Sequence, residues 1–160
     1  MPQPRILHTG RLVVLAIAVL VVALDLVSKW IIVSMMDLGE SRWLVQDQIG
    51  LELVHNRRFA FSLGPASGYA QIVAIVAVIV VGYLLLTNTF GTGFVVHIGT
   101  GLILGGALGN TIDRIARGFV VDFFAVGAFP RFNIADAALT LGIACLLLGQ
   151  FRQGSTTSDR

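Results

Sequence analysis

The chain has 160 residues and a formal net charge of +2, with charged residues at 12% and hydrophobic residues at 56%. Soluble domains typically carry about 25% charged residues, so a soluble fold of this size would expose large apolar patches, and disorder, which needs low hydrophobicity, is excluded. One cysteine forbids an internal disulfide framework, three scattered histidines offer little to a metal, and the small diffuse charge argues against a nucleic-acid partner.

The composition is that of a membrane protein, and the length that of one domain, over 1–151, with a polar tail at 152–160. A first apolar helix is expected over 12–36, interrupted only by Asp25 and Lys29. Arg5 and Arg11 ahead of it resemble the start of a secretory signal. The run is long, however, and Asp25 to Lys29 stand where a small-residue cleavage site would fall, so it reads as an uncleaved span. Charges at membrane depth cost about 2.5–3.5 kcal/mol each and are functional suspects by default. At i,i+4 Asp25 and Lys29 share a helix face and can neutralise each other as a structural ion pair. The alternative makes Lys29 a substrate-headgroup contact or a nucleophile activator. Ser28 cannot complete a Ser-Lys dyad, because adjacent helical positions point about 100° apart.

The connection over 37–69 is too long for a turn. It holds strand-like pieces at Trp43–Val45 and Leu51–Val54, which predict a small sheet at the membrane surface. None of residues 59–112 is Asp, Glu, Lys or Arg. That stretch supplies two crossings, expected at 70–86 and 94–116, divided by the turn Thr87–Gly93. In the third predicted helix Gly101, Gly105 and Gly109 form a small-residue stripe for close helix packing. Asn110, Asp113, Arg114 and Arg117 follow as one polar face. They form either a salt-bridged helix end, with Asp113 paired to Arg114 or Arg117, or a set of donors that holds a substrate backbone. FVVDFFAV after Gly118 either extends this helix or joins the surface layer. A last helix is expected over 134–151, with Asn133 as its N-cap, Asp136 as its N3 residue, and Cys145 in packing.

The expected fold class is therefore an all-α membrane protein: four transmembrane helices and a small β-sheet surface layer, formed mainly by the loop between helices one and two. Counting crossings puts that loop and the connection into helix four on one face, and nearly every unusual polar residue falls there. Lys and Arg excess normally marks the cytoplasmic side. Here Arg5, Arg11, Arg152 and Arg160 on the terminal face stand against Arg42, Arg57, Arg58, Arg114, Arg117 and Arg131 on the polar face. Arginines engaged in a site mislead such a count, and it does not set the orientation.

Asp122 and Asp136 flank the short connection into helix four. Capping explains Asp136, but not an acid within the apolar run Val120–Val126. Two carboxylates at a partly dry interface share a proton, one serving as base and the other as acid. The helix dipole favours an ionised Asp136, hence the base, with Asp122 the initial acid; the swapped assignment stays open. Other protease chemistries find no support, since there is no HExxH and GPASG around Ser67 is not G-x-S-x-G. Two rival readings stand beside a peptidase. One is a small proton-coupled transporter with Asp25, Asp113 and Asp136 as relay; the other is a scaffold assembled through the glycine stripe.

The ordered set Asp25-x-x-Ser28-Lys29, Asn56 with Ala60-Phe61-Ser62, GGALGNTIDR followed by GFVVDFF, and FNIAD resembles the lipoprotein signal peptidase (signal peptidase II) family. The resemblance implies an intramembrane aspartyl endopeptidase that cuts the signal peptide from prolipoproteins just before the diacylglyceryl-modified cysteine. It implies Asp122 and Asp136 as catalytic residues, with Asn56, Asn110, Asp113, Arg114, Asn133, Asp25 and Lys29 as binding or supporting residues. It further implies no metal or other cofactor, membrane lipids and globomycin-type inhibitors as partners, and a monomer. The expected location is the bacterial inner membrane, with both termini cytoplasmic and the site at the periplasmic interface. Arg58 stands where the family's loop has glycine, and the short connection into helix four is expected to alter the flap over the site.

Overall fold

A computed structural model describes residues 4–57 and 93–155, together with 75, 76, 78, 79, 82, 83 and 87. The helix expected over 70–86 lies largely outside the described residues, although the positions described between 75 and 83 are helical. Arg58, Ala60-Phe61-Ser62 and Ser67 also lie outside them.

The described elements, in chain order, are α1 (Pro4–Met35), β1 (Ser41–Val45), β2 (Ile49–Asn56), α2 (Phe94–Arg117), β3 (Val120–Val126) and α3 (Ile134–Ser155). Thus α2 and α3 are the third and fourth helices of the sequence reading. Gly10–Met35 and Phe94–Arg117 are long and apolar enough to cross a membrane, and Ile134–Gln150 is a shorter apolar helix. α1 starts eight positions earlier than expected (4 against 12), and α3 runs to Ser155 rather than 151. Backbone hydrogen bonding carries a helix past the end of its apolar stretch, and hydropathy alone does not mark that boundary.

α2 is the middle element and packs on both α1 and α3. Lipid tails are as apolar as leucine, so helices associate in lipid through close fit rather than through expulsion of water. Glycines allow that fit. A Cβ on Gly101 would lie 2.7 Å from the Ile17 Cβ, and one on Gly105 would lie 2.7 Å from the Val21 Cβ and 2.8 Å from the Ala18 carbonyl. The stripe read from the sequence is thus the α1 seat. A second face of α2 meets α3, where Gly99 and Gly142 oppose each other and each Cβ position lies 2.8 Å from the other's carbonyl oxygen. Leu12, Val19, Leu24, Val27 and Trp30 of α1, and Leu141, Leu147 and Leu148 of α3, stay exposed for lipid.

The ends of α1 and α2 are set by local chemistry. Arg42 Nη2 donates to the Met35 carbonyl at 2.6 Å, satisfying an orphan acceptor of the last turn of α1. α2 stops at Gly118, whose φ of 75° is left-handed and whose N–H bonds the Arg114 carbonyl at 3.1 Å. That stop turns the next residues into a strand. FVVDFFAV joins the surface layer as β3, antiparallel to β2, in a sheet ordered β1-β2-β3. The layer therefore draws its third strand from beyond the first loop. Met36, Leu53, Val121 and Phe123 form the core that fixes the sheet on the end of α1. Val54 lies opposite Asp122 and Asn56 opposite Val120, so pairing brings Asn56 to the acid.

Gly105→Val forces Cβ and two methyls into the α1 contact. It should cost about 1–3 kcal/mol, as overpacking does, seen as a lower thermal midpoint in detergent. Gly93→Ala, where a Cβ meets nothing within 4 Å, should leave the midpoint unchanged.

Candidate active site

The site is built on a buried cation. Lys29 on α1 is fully buried, and its Nζ lies 2.6 Å from Asp25 Oδ2, 2.9 Å from Asp113 Oδ2 and 3.2 Å from Asn110 Oδ1. Burying one charge alone is prohibitive, and here two carboxylates and an amide oxygen replace its water. Each carboxylate has a second task. Asp25 Oδ1 accepts the Ala135 N–H at 2.9 Å, satisfying an orphan donor in the first turn of α3. Asp113 Oδ2 accepts the Val121 N–H at 3.2 Å, fixing the start of β3 beside α2. One charge cluster thereby joins α1, α2, β3 and α3. Gly109 makes room for it, since a Cβ there would lie 2.7 Å from Asp25 Oδ2.

The cation also orients two amides. An ammonium only donates, so the atom of Asn110 that faces Lys29 is its oxygen. Asn110 Nδ2 is then turned to Asp136 Oδ1, to which it donates at 2.8 Å. The same Asn110 oxygen accepts from Asn133 Nδ2 at 3.1 Å, so Asn133 presents nitrogen on that side. Asn133 Nδ2 also donates to Asp122 Oδ1 at 2.7 Å and to the Val121 carbonyl at 3.2 Å. Its Oδ1 accepts the Asp136 N–H at 2.9 Å, and its own N–H meets Asp136 Oδ2 at 3.3 Å. This is the reciprocal capping box expected at the start of α3. Asn133 therefore touches both carboxylates, and Asn56 Nδ2 completes the set on Asp122 Oδ2 at 2.9 Å.

The two acids differ in setting. Asp122 is 2% exposed, whereas Asp136 is half-buried at a helix N-terminus. Burial raises the Asp122 carboxyl, the Asn56 hydrogen bond pulls it back, the Asp136 charge raises it again, and the result lies at about 6. Arg114, half-buried, lies within electrostatic reach of Asp136, Asp122 and Asp113, and its Nη1 approaches the Asn110 carbonyl at 3.4 Å. His55, next to Asn56, stacks on Phe119 at 3.9 Å. Burial and the neighbouring Arg57 and Arg117 hold its imidazole below the ordinary range.

All nine residues singled out from the sequence are described, and they form one continuous network. Of the two readings of Asp25 and Lys29, the geometry is that of the ion pair, with neither group exposed. Asp113 meets Lys29 at 2.9 Å, with Arg117 farther at 3.7 Å, so the helix-local pairing expected for it is the weaker contact. Its contact with Lys29 crosses from α2 to α1, and spacing within one helix carries no sign of it. Sequence reasoning also missed Asp25 as a cap for α3, and the ion pair between Glu52 and Arg131. Among the described residues no cluster of three His, Cys, Asp or Glu could hold a metal.

The model of the family described as signal peptidase (SPase) II matches residues 17–152. A lipoprotein signal peptidase of Shouchella clausii is 42% identical over 142 residues, covering 86% of this chain and 92% of that protein. One from Rhodococcus jostii is 39% identical over 154 residues, covering 92% and 76%. Among solved structures, a bacterial membrane enzyme determined in meso at 2.3 Å superposes with a TM-score of 0.80 at 30% identity, covering 96% of this chain and 93% of that one. A second, at 1.9 Å, gives 0.72 at 31% identity, covering 88% and 91%.

Lys29→Met strips the cation from two buried carboxylates. It should destabilise the protein by about 3–5 kcal/mol, the cost of orphaning a buried charge, as read by equilibrium unfolding in mixed micelles.

Proposed function

We propose a function that proceeds from kinship: this chain belongs to the signal peptidase II family. It is a membrane protease of lipoprotein substrates. Beyond that, we read it as an aspartyl endopeptidase. It hydrolyses the amide bond just before the diacylglyceryl-modified cysteine of a prolipoprotein, with Asp122 and Asp136 as the catalytic pair and without metal or other cofactor. The observation that carries this reading is Asn133, which hydrogen-bonds both carboxylates at once and so holds them to one site.

The chemistry follows from the asymmetry of the pair. Asp136 receives donors from Asn110 and Asn133 at the N-terminus of α3, and we assign it as the base. Asp122, raised to about 6, keeps a proton into weakly acidic conditions. Asp136 takes a proton from a water molecule, whose oxygen attacks the scissile carbonyl, while Asp122 gives its proton to the carbonyl oxygen. Collapse of the tetrahedral intermediate returns a proton to Asp122 and moves the one on Asp136 to the departing nitrogen. The products are a signal-peptide carboxylate and a free α-amine on the lipidated cysteine. Arg114 and Asn56 border the acids and are assigned to the peptide backbone. Asp25, Lys29 and Asp113 support from behind, and Asn110 and Asn133 align the carboxylates.

The substrate is anchored by its lipid, so it reaches the enzyme from within the bilayer. The acids lie where helix ends meet the sheet, and we assign that level to the boundary between lipid and water. We therefore place the chain in the bacterial inner membrane as a monomeric four-span domain. Both termini are cytoplasmic, the site is at the periplasmic interface, and lipids and globomycin-type inhibitors contact that site. A proton relay through Asp25, Asp113 and Asp136 fits poorly, because Lys29 holds the first two as counter-ions.

Asp122→Asn and Asp136→Asn should each lower cleavage of a lipidated prolipopeptide by about 10²–10⁴-fold, the usual range for a general acid or base, in protein that stays folded. Cleavage retained by either variant removes the dyad. Wild-type kcat/KM should trace a bell against pH. A carboxyl raised to about 6 holds its proton below that value and loses it above, so the rate falls as pH rises through about 6. The acid-side fall reports protonation of the base, and both apparent values belong to the coupled pair.

A further inference from the structure

One ion pair lies outside the network yet grips the two segments that meet in it. Arg131 Nε and Nη2 lie 2.7 and 2.6 Å from Glu52 Oε2. Arg131 Nη1 donates to the Phe129 carbonyl at 3.0 Å and the Gly127 carbonyl at 3.3 Å. All three guanidinium nitrogens are engaged. Glu52 sits in the part of β2 where the register with β3 shifts, between Leu51 opposite Phe124 and Val54 opposite Asp122. Arg131 stands two residues before Asn133. Between them Phe132 clips to β3, its carbonyl accepting the Phe124 N–H at 2.8 Å and the Phe123 N–H at 3.1 Å. One end of the pair therefore stands beside the strand partner of Asp122, and the other beside the residue that touches both acids.

The turn between β3 and α3 is otherwise tied by the Phe124–Phe132 bridge, by the rings of Phe124 and Phe129 against Phe132, and by the Phe129 N–H to the Val126 carbonyl at 2.9 Å. Residues 127–130 are exposed, and the Gly127 N–H to the Gln48 carbonyl at 2.7 Å anchors only its start. We propose that Glu52 and Arg131 are positioning residues: a clamp across the sheet that sets where Asn133 meets Asp122, and so the alignment of the acid pair. The proposal rests on the peptidase reading above. An exposed ion pair would contribute little, but each partner here is only about a quarter exposed and the guanidinium binds two carbonyls besides. Neither side chain touches the carboxylates, so the clamp acts on chemistry more than on substrate capture.

The test is steady-state cleavage of a lipidated prolipopeptide by full-length protein in detergent, with unfolding midpoints measured beside it. Arg131→Ala and Glu52→Ala should each lower kcat about tenfold with KM moved less than about twofold, since sub-ångström misplacement of a reacting group carries that order of cost. The double variant should be no slower than the slower single, and Glu52→Gln, which keeps an acceptor, should recover most of kcat. An unchanged kcat in the single variants, a loss confined to KM, or single effects that multiply in the double overturns the clamp. Should Arg131→Ala not fold, the two Glu52 variants carry the same expectations. Should the wild type itself not cleave, the peptidase reading falls. The clamp is then judged by hydrogen exchange at the Asn133 and Asp136 amides: faster exchange in Glu52→Ala upholds it, and an unchanged rate overturns it.

Discussion

The Lys29 ammonium, sealed between α1 and α2, is the constraint from which the site follows. It can only donate, and it stands at hydrogen-bonding distance from two carboxylates and one amide. Its presence therefore dictates which atom of Asn110 faces it and which atom of Asn133 faces Asn110. Through those amides it turns a donor toward Asp122 Oδ1 and another toward Asp136 Oδ1. A fully buried charge thus decides the geometry of the amides that hold the two carboxylates. Among the described residues no buried side-chain nitrogen or oxygen lacks a partner. That completeness is what a polar cluster requires in a low-dielectric setting.

Lipid as solvent explains why the cluster sits at one end of the bundle. Along most of their length α1, α2 and α3 meet through glycine and small apolar contacts, which ask nothing of hydrogen bonding. Charged and amide groups enter toward one end of α1 and α2, at Asp25, Lys29, Asn110 and Asp113. There α2 turns at Gly118 into β3, and α3 begins at Ile134 behind its cap Asn133. Helix starts and strand starts both carry unsatisfied N–H groups, and the buried carboxylates of Asp25 and Asp113 accept two of them. The site and the ends of the secondary structure are thus solutions to the same problem of buried polar backbone.

Much of this was legible in the residues. Asp122 stood out as an acid in an otherwise apolar run, and Asn133 with Asp136 read as a capping pair because that chemistry is local. The glycines at 101, 105 and 109 read as a packing stripe for the same reason. The partners across elements were not legible. Asp113 carries arginines at neighbouring helical positions, and the sequence holds no mark that a lysine eighty-four positions earlier outranks them. Asp25 as a cap for Ala135, and Glu52 as the partner of Arg131, likewise depend on how α1 and β2 lie against α3 and its lead-in. The strand at 120–126 was one of two readings. The left-handed Gly118 decided it, and glycine after a basic last turn is a stop signal that favours the second reading.

The i,i+4 placement of Asp25 and Lys29 also bears on biosynthesis. The ribosome makes both residues long before Asp113, so the first span meets the translocon carrying a self-compensated zwitterion rather than a bare cation. The second carboxylate arrives only with α2, and it brings Arg117 as a distant counterweight. Order of synthesis and order of charge neutralisation therefore coincide, and at no stage of insertion must an unaccompanied lysine enter hydrocarbon.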